Sequence, residues 1–247
     1  MMILKLLIAG SMVLTVGLPA YAQTPSIEIK EDGLKNETEL TLVDAKGNSV
    51  SNAFGAKQQD AFKWDLNILK GEARYFNSSS GGVESARNWD LAVRYERELS
   101  ALWSLYAGQG LESDPFAGVD RRFNTDLGAR YKIMKDPVFS WTAEAGYRYT
   151  AQTNVNGSSL NSQFGRVYSE MIYTVSETSS AKLWLEYLPN FSTSENYLAN
   201  GEASISSALS SLLSLKVAYL LKYNNRPPAP ATQYLDRLLT TSLIAKF

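Results

Sequence analysis

Two residue types that carry much of protein chemistry are missing from this chain, which has neither cysteine nor histidine. Without cysteine there are no disulfides, no thiolate metal site and no lipidated cysteine anchor. Without histidine there is no Ser-His-Asp triad and no histidine metal cluster. We therefore expect no cofactor, no metal and no enzymatic activity of these classes.

An excess of either charge is missing as well. The chain has 24 Lys and Arg residues against 25 Asp and Glu residues. Nucleic-acid binding calls for a basic excess, so the sequence predicts no nucleic-acid partner. Aromatic residues make up 11% of the chain, which argues against a disordered protein because disordered chains are poor in them.

The first 22 residues have the three parts of a secretory signal peptide. Lys5 supplies a positive charge, residues 6–16 form an apolar stretch, and Ala20-Tyr21-Ala22 offers a small-residue cleavage site. The alternative is an uncleaved anchor, but the stretch is short beside the roughly 20 apolar residues that a spanning helix needs. No later apolar run approaches that length. We predict export, with cleavage near Ala22 and a polar periplasmic lead-in over 23–36.

Alternation of apolar and polar side chains runs through the mature sequence. In residues 213–224 every odd position is apolar and most even positions are polar, and the same pattern fills 89–96 and 139–149. A period of two predicts β-strands. The phase changes within 64–76, which a bulge near Ile68 would explain. The predicted strands number twelve: 37–45, 49–61, 64–76, 87–97, 101–112, 121–134, 138–151, 164–176, 180–190, 196–208, 212–224 and 234–247.

The connections alternate between short and long. Short polar turns are predicted at 98–100, 135–137, 176–179 and 209–211. Longer loops rich in Gly, Ser, Asn and Pro are predicted at 77–87, 111–121, 152–163, 189–196 and 224–234. Bacterial outer-membrane barrels have an even number of strands, short periplasmic turns and longer external loops. We therefore predict an all-β fold, a closed antiparallel transmembrane β-barrel over 37–247.

The polar face carries charges of both signs in the middle of strands, which favours a membrane barrel with an inward polar face. Aromatic residues near strand ends, such as Trp89 and Tyr149, fit headgroup depth, although ordinary core packing is the alternative. Outer-membrane lipid and lipopolysaccharide are the expected surroundings. The candidate lumen-lining residues are Arg94, Asp126, Arg130, Glu144, Arg148, Glu170, Lys182, Glu186, Glu202 and Lys216.

Several segments together resemble the salt-induced outer-membrane protein family, whose domain function is uncharacterised. They are Gly47-Asn48, 114–122, Gly128 with Tyr131, 197–203, 226–228, Asp236 and the terminal Phe247. The resemblance implies an outer-membrane barrel and no known substrate. Phe247 on an amphipathic last strand looks like the signal read by the barrel-assembly machinery, which would be a partner during biogenesis.

Three functional classes remain open. The first is a narrow, low-conductance, non-enzymatic pore, or an envelope protein of osmotic stress. The second is a structural barrel with a blocked lumen and partner-binding external loops. The third and weakest is an outer-membrane enzyme, for which Asp90 and Glu96 are paired carboxylates that more simply serve as lumen charges. Asp114, Asp120, Arg121 and Arg122 are candidates for the barrel mouth, either as a constriction or as an ion-paired loop folded against it.

Overall fold

The computed structural model describes residues 27–45, 51–229 and 233–246. The predicted signal peptide and Phe247 lie outside these residues. The strands are β1 (Gly33–Ala45), β2 (Ser51–Trp64), β3 (Asn67–Ser80), β4 (Val83–Glu98), β5 (Trp103–Asp114), β6 (Val119–Lys135), β7 (Phe139–Asn154), β8 (Ser159–Thr174), β9 (Ser179–Leu188), β10 (Leu198–Ala208), β11 (Leu213–Asn224) and β12 (Leu235–Lys246). A short 3-10 helix, η1 (Pro115–Ala117), joins β5 to β6.

The twelve strands form one closed antiparallel barrel, as the sequence predicts. Each strand pairs with its neighbours in the chain, and β1 closes the ring against β12, with Glu37 opposite Lys246 and Thr41 opposite Ser242. Closure leaves no free strand edge, so the described backbone meets its hydrogen-bonding needs within the sheet. None of the helices in these residues is long and apolar enough to cross a membrane.

Two ends of the barrel can be told apart by their connections. At one end, here the turn end, tight connections of two to four residues join β2 to β3, β4 to β5, β6 to β7, β8 to β9 and β10 to β11. The opposite end, here the loop end, carries η1 and the longer connections 189–197 and 225–234.

Three of the predicted long loops are wrong in extent. The predicted loop 77–87 is a continuation of β3 and β4 around a turn at Gly81 and Gly82, both at positive φ. The predicted loops 111–121 and 152–163 are likewise mostly strand. Ser, Asn and Gly residues are weak strand formers, but pairing with a neighbouring strand overrides that preference.

The phase change in 64–76 comes from a hairpin turn. β2 ends at Trp64, Asp65 adopts a positive φ of 50°, and β3 begins at Asn67. Register continues without a shift from Trp64 opposite Asn67 to Ser51 opposite Ser80. The predicted bulge near Ile68 is therefore wrong. β1 also begins at Gly33, four residues before the predicted start, which shortens the lead-in.

The barrel wall is apolar outside and polar inside. On β4, Leu91 and Val93 are about half exposed, at 49% and 56%, whereas Arg94 and Glu96 are buried at 2% and 1%. Aromatic side chains gather on the outer wall near each end. Contacts at the turn end include Trp103 with Tyr131, whose ring centroids are 4.6 Å apart, and at the loop end Tyr197 with Tyr223 at 5.7 Å. This is the inverted arrangement that a membrane barrel needs.

Candidate functional site in the barrel interior

The structure places all ten candidate lumen residues on the inner wall, and each takes part in at least one ion pair. Some partners are near in sequence, such as Glu96 for Arg94, but most lie on other strands, because strand tilt decides which side chains meet across the lumen. The pairs fall into a cluster that crosses the interior and into others that follow the wall.

The crossing cluster lies at mid-height and is called the central layer here. Its members come from β4, β5, β6, β7, β8 and β9: Arg94, Glu96, Tyr106, Arg130, Glu144, Arg148, Arg166 and Glu186. All are buried.

Glu144 on β7 is the anion on which this layer converges. Arg94, three strands away on β4, donates two hydrogen bonds to its carboxylate, at 3.0 and 2.8 Å. Arg166 on β8 donates a third at 2.6 Å. A two-pronged guanidinium–carboxylate contact is among the strongest polar interactions in proteins. The Arg94–Glu144 pair therefore forms a firm chord across the lumen.

Arg166 and Arg148 extend the layer towards β9. Arg166 donates a 2.6 Å hydrogen bond to Glu186. Arg148 pairs with Asp126 through two hydrogen bonds at 2.6 and 2.7 Å and lies 3.7 Å from Glu186. Positive and negative groups thus alternate across the interior, which compensates charges that would otherwise be costly to bury.

Tyr106 on β5 packs among the arginines of the layer. The Arg94 guanidinium lies 3.8 Å from the centre of its ring, and Arg166 donates a 3.0 Å hydrogen bond to its hydroxyl. Room for the ring comes from glycines on the next two strands, β6 and β7. A Cβ at Gly128 would lie 2.5 Å from the Tyr106 hydroxyl, and one at Gly146 would lie 2.6 Å from it.

We predict that Gly128→Ala destabilises the barrel by about 1–3 kcal/mol, because the added methyl group overpacks against Tyr106 and the Ala145 carbonyl oxygen. The measurement is the free energy of unfolding in urea of the protein folded in detergent micelles. Gly71→Ala is the matched control, because nothing lies within 4 Å of its added Cβ. Equal stability of the two variants would show that Tyr106 is not held against the glycine surface.

The other predicted lumen residues pair along the wall. Lys182 lies 2.6 Å from Glu170 on the adjacent strand. Lys216 bridges Glu202 at 3.2 Å and Glu39 at 3.4 Å. These lysines are more exposed than the arginines of the central layer, so their pairs leave more of the lumen open to water.

The four mouth candidates divide between the interior and the surface. Asp114 is buried, and its carboxylate accepts a 3.0 Å hydrogen bond from the Ala117 amide, which caps η1. Arg122 is buried and donates to Glu112 at 2.7 Å. Asp120 and Arg121 are exposed and lie 3.9 Å apart. The segment is therefore not one ion-paired loop, because the strand alternation of β6 sends Arg121 and Arg122 to opposite faces.

A second cross-lumen cluster lies at the loop end. Lys222 on β11 is buried, and its charge interacts with those of Asp90 on β4 and Glu112 on β5, on the far side of the barrel. Asp90 also accepts a hydrogen bond from Arg74 at 2.6 Å.

The β11–β12 connection crosses part of the loop-end opening. A Cβ at Gly118, which has a φ of 80°, would lie 2.6 Å from the Ala229 carbonyl oxygen and 2.9 Å from that of Pro228. Gly118 belongs to the β5–β6 connection on the opposite rim. A cavity of about 60 Å³ remains beside this crossing, and Asn154, Phe164 and Arg226 contribute to its lining.

The turn end holds a larger cavity of about 400 Å³. Residues 27–30 of the lead-in fold back into this end, with Ile27 buried and Glu28 paired to Arg130 at 2.6 Å. The sequence predicts a periplasmic lead-in but does not assign it to the lumen. Four residues outside any strand show no alternation of apolar and polar side chains from which their position could be predicted. Among the described residues, no group of acidic side chains is arranged to hold a metal ion.

Several interior residues are not predicted from the sequence. Lys70, Glu72 and Arg74 are missed because the phase of β3 is ambiguous in sequence. Tyr106 is missed although a signal exists: it shares the inward phase of β5 with Ser104, Gly108, Gly110 and Glu112, so it stands on a polar face.

Comparison with known proteins adds a family and a fold. A family model described as "Protein of unknown function, DUF481" matches residues 38–247. The uncharacterized protein YdiY of Escherichia coli (strain K12) is 27% identical over 169 residues, which are 68% of this chain and 65% of that relative. The chain thus spans slightly less than two thirds of that relative's length.

Among solved structures, an outer membrane channel from Pseudomonas putida F1 superposes with a TM-score of 0.56 at 14% identity, covering 92% of this chain and all of the channel. The NanC porin has a TM-score of 0.52 at 10% identity, covering 86% of this chain and 98% of the porin. At these identities the likeness shows the fold alone.

Proposed function

The chain belongs to the DUF481 family of proteins of unknown function, and from that premise we propose that it is a narrow, non-enzymatic pore of the bacterial outer membrane that conducts small solutes poorly. The exported precursor would lose residues 1–22 and insert with its loop end outward, its apolar wall meeting lipid and lipopolysaccharide. A role under osmotic stress is part of this proposal.

The observation that carries the proposal is the central layer. Twelve strands lie between eight-stranded barrels filled by side chains and sixteen-stranded porins with open channels. In this barrel the Arg94–Glu144 chord and the Tyr106 ring occupy the interior between two cavities, at the turn end and at the loop end. The layer comes from six adjacent strands, β4 to β9, so it narrows the lumen, and passage of a solute along this side requires these pairs to part. A cavity of about 80 Å³ remains on the opposite side, where Glu202 and Lys216 contribute to its lining.

A structural barrel with a permanently blocked lumen is the second candidate. It is favoured by the β11–β12 connection, which reaches the opposite rim at Gly118 through Pro228 and Ala229. The two candidates differ in whether the purified protein conducts at all.

Planar-bilayer recording of the purified protein tests the proposal. We expect small, brief conductance steps with weak preference for cations or anions, because the layer mixes both signs of charge rather than concentrating one. The complete absence of steps would favour the structural barrel. A large, steady conductance with strong selectivity for one sign would contradict both.

A further inference from the structure

The lead-in places a carboxylate inside the lumen. Residues 27–30 enter the turn end ahead of β1, where the Lys35 ammonium donates a 2.9 Å hydrogen bond to the Glu28 main-chain carbonyl. The Glu28 carboxylate accepts a 2.6 Å hydrogen bond from Arg130. The segment therefore presents an anion to the turn-end side of the central layer without belonging to the barrel wall.

Arg130 has no closer carboxylate partner among the described residues. Its contacts with Glu96 and Glu144, at 3.4 and 4.0 Å, are longer than its contact with Glu28. Burial raises the pKa of Glu28, but Arg130, Lys70 and Lys132 more than offset this, so its pKa lies below the ordinary value of 4.5. Glu28 is thus ionised at neutral pH, with Arg130 as the cation that it contacts.

The adjoining turn-end cavity has the volume of a ligand site. At about 400 Å³ it lies within the range of small-molecule pockets. Six cationic side chains line it: Lys30, Lys63, Lys70, Arg130, Lys132 and Lys135. Four acidic side chains do so: Glu28, Glu96, Glu98 and Asp136. Without Glu28 the balance would be six cations against three acids.

We propose that the turn-end cavity is a binding site for small organic carboxylates, and that Glu28 occupies it as an internal ligand which such a solute displaces from Arg130. The proposal deepens the proposed pore function and rests on it, because a solute would use the same lumen. A dicarboxylate suits the cavity best, since one group can replace Glu28 at Arg130 while the other meets Lys132 or Lys63, which otherwise both pair with Glu98.

The test is calorimetric titration of the folded mature protein with sodium glutarate at constant ionic strength. An internal ligand reduces the apparent affinity of its competitor to the intrinsic affinity multiplied by the fraction of time for which the site is vacant. Glu28→Gln removes the charge, so we expect glutarate to bind this variant on the order of tenfold more tightly than the wild type. Glu31→Gln is the matched control, because Glu31 is exposed and lies in the same segment.

The double variant Glu28→Gln/Arg130→Gln should lose the gain. Equal affinities for wild type and Glu28→Gln would overturn the proposal, as would absence of binding in both. If sodium chloride competes for the cavity as effectively as sodium glutarate does, the proposal would also be overturned, because the result would show only a diffuse positive electrostatic field. Heat-modifiable mobility on gels verifies that each variant is folded. Because this measurement needs no conduction, the two failures are distinguishable. Conductance without glutarate binding would defeat this inference alone, whereas glutarate binding without any conductance would defeat the pore and leave only a binding site.

Discussion

Removing the charged side chains that cross the lumen is expected to raise the single-channel conductance on the order of tenfold, because a barrel of this size is narrow only where side chains fill it. The variant replaces Arg94, Glu144, Arg166 and Glu186 by alanine. It deletes two positive and two negative charges, so the net charge is unchanged. Arg94 and Glu144 stand three strands apart, so their loss removes a pair that spans part of the lumen rather than a pair that lies along the wall.

The matched control also deletes two charges of each sign but takes them from the wall. It replaces Glu170, Lys182, Glu202 and Lys216, whose pairs join adjacent strands β8 with β9 and β10 with β11. We expect this control to conduct nearly as the wild type does. Equal increases in the two variants would mean that the amount of side chain, and not the crossing layer, limits passage.

Glu144→Ala alone is expected to destabilise the barrel by about 3–5 kcal/mol, because removing one partner from a buried ion cluster leaves the others uncompensated. Arg94 would lose both hydrogen bonds to this carboxylate, and Arg166 would lose one. The measurement is the free energy of unfolding in urea.

Glu170→Ala is the control for that prediction. Its partner Lys182 is 24% exposed and can be hydrated when left alone, so a smaller loss of about 1 kcal/mol is expected. Replacing Arg94 together with Glu144 should recover part of the stability, because fewer arginines are then left unpaired. Equal losses for Glu144→Ala and Glu170→Ala would show that an ion pair of the central layer stabilises the barrel no more than an ion pair along the wall.

The strands were predictable because period two is imposed by the pleat itself. The turn between β2 and β3 is not predicted from the sequence. Trp64 and Leu66 lie on one phase of the apolar–polar alternation and Leu69 lies on the other, and either a bulge or a tight turn would change that phase. The loop end was misjudged because Ser, Asn and Gly mark turns in sequence, whereas in residues 77–87 only Gly81 and Gly82 form one.

The inward side chains were also predictable, but their partners were not. Alternation assigns Arg94 and Glu144 to one face without saying that they meet, since that depends on the tilt of four strands and the width of the closed barrel. The glycines opposite Tyr106 show the same limit. The need for glycine at positions 128 and 146 becomes evident only when the folded barrel places the Tyr106 ring of β5 against them.

The accessibility of single cysteines on either side of the central layer tests directly whether this layer restricts passage through the lumen. Because the chain has no native cysteine, only the introduced thiols can react. Ser140 and Asn154 both lie on β7 and face inward, Ser140 at the turn-end cavity and Asn154 at the loop-end cavity. Each is replaced by cysteine in turn, and the protein is reconstituted in liposomes in one orientation, verified with a protease site engineered at the loop end. A small charged methanethiosulfonate reagent is then added on the loop-end side only.

We expect the reagent to modify Asn154→Cys and to leave Ser140→Cys unmodified on the same time scale. In the variant that lacks the four crossing side chains, both positions should react. Reagent added from the turn-end side should modify Ser140→Cys, which verifies that this thiol is reactive. Rapid modification of Ser140→Cys from the loop-end side, with the central layer intact, would show that this layer does not restrict passage through the lumen.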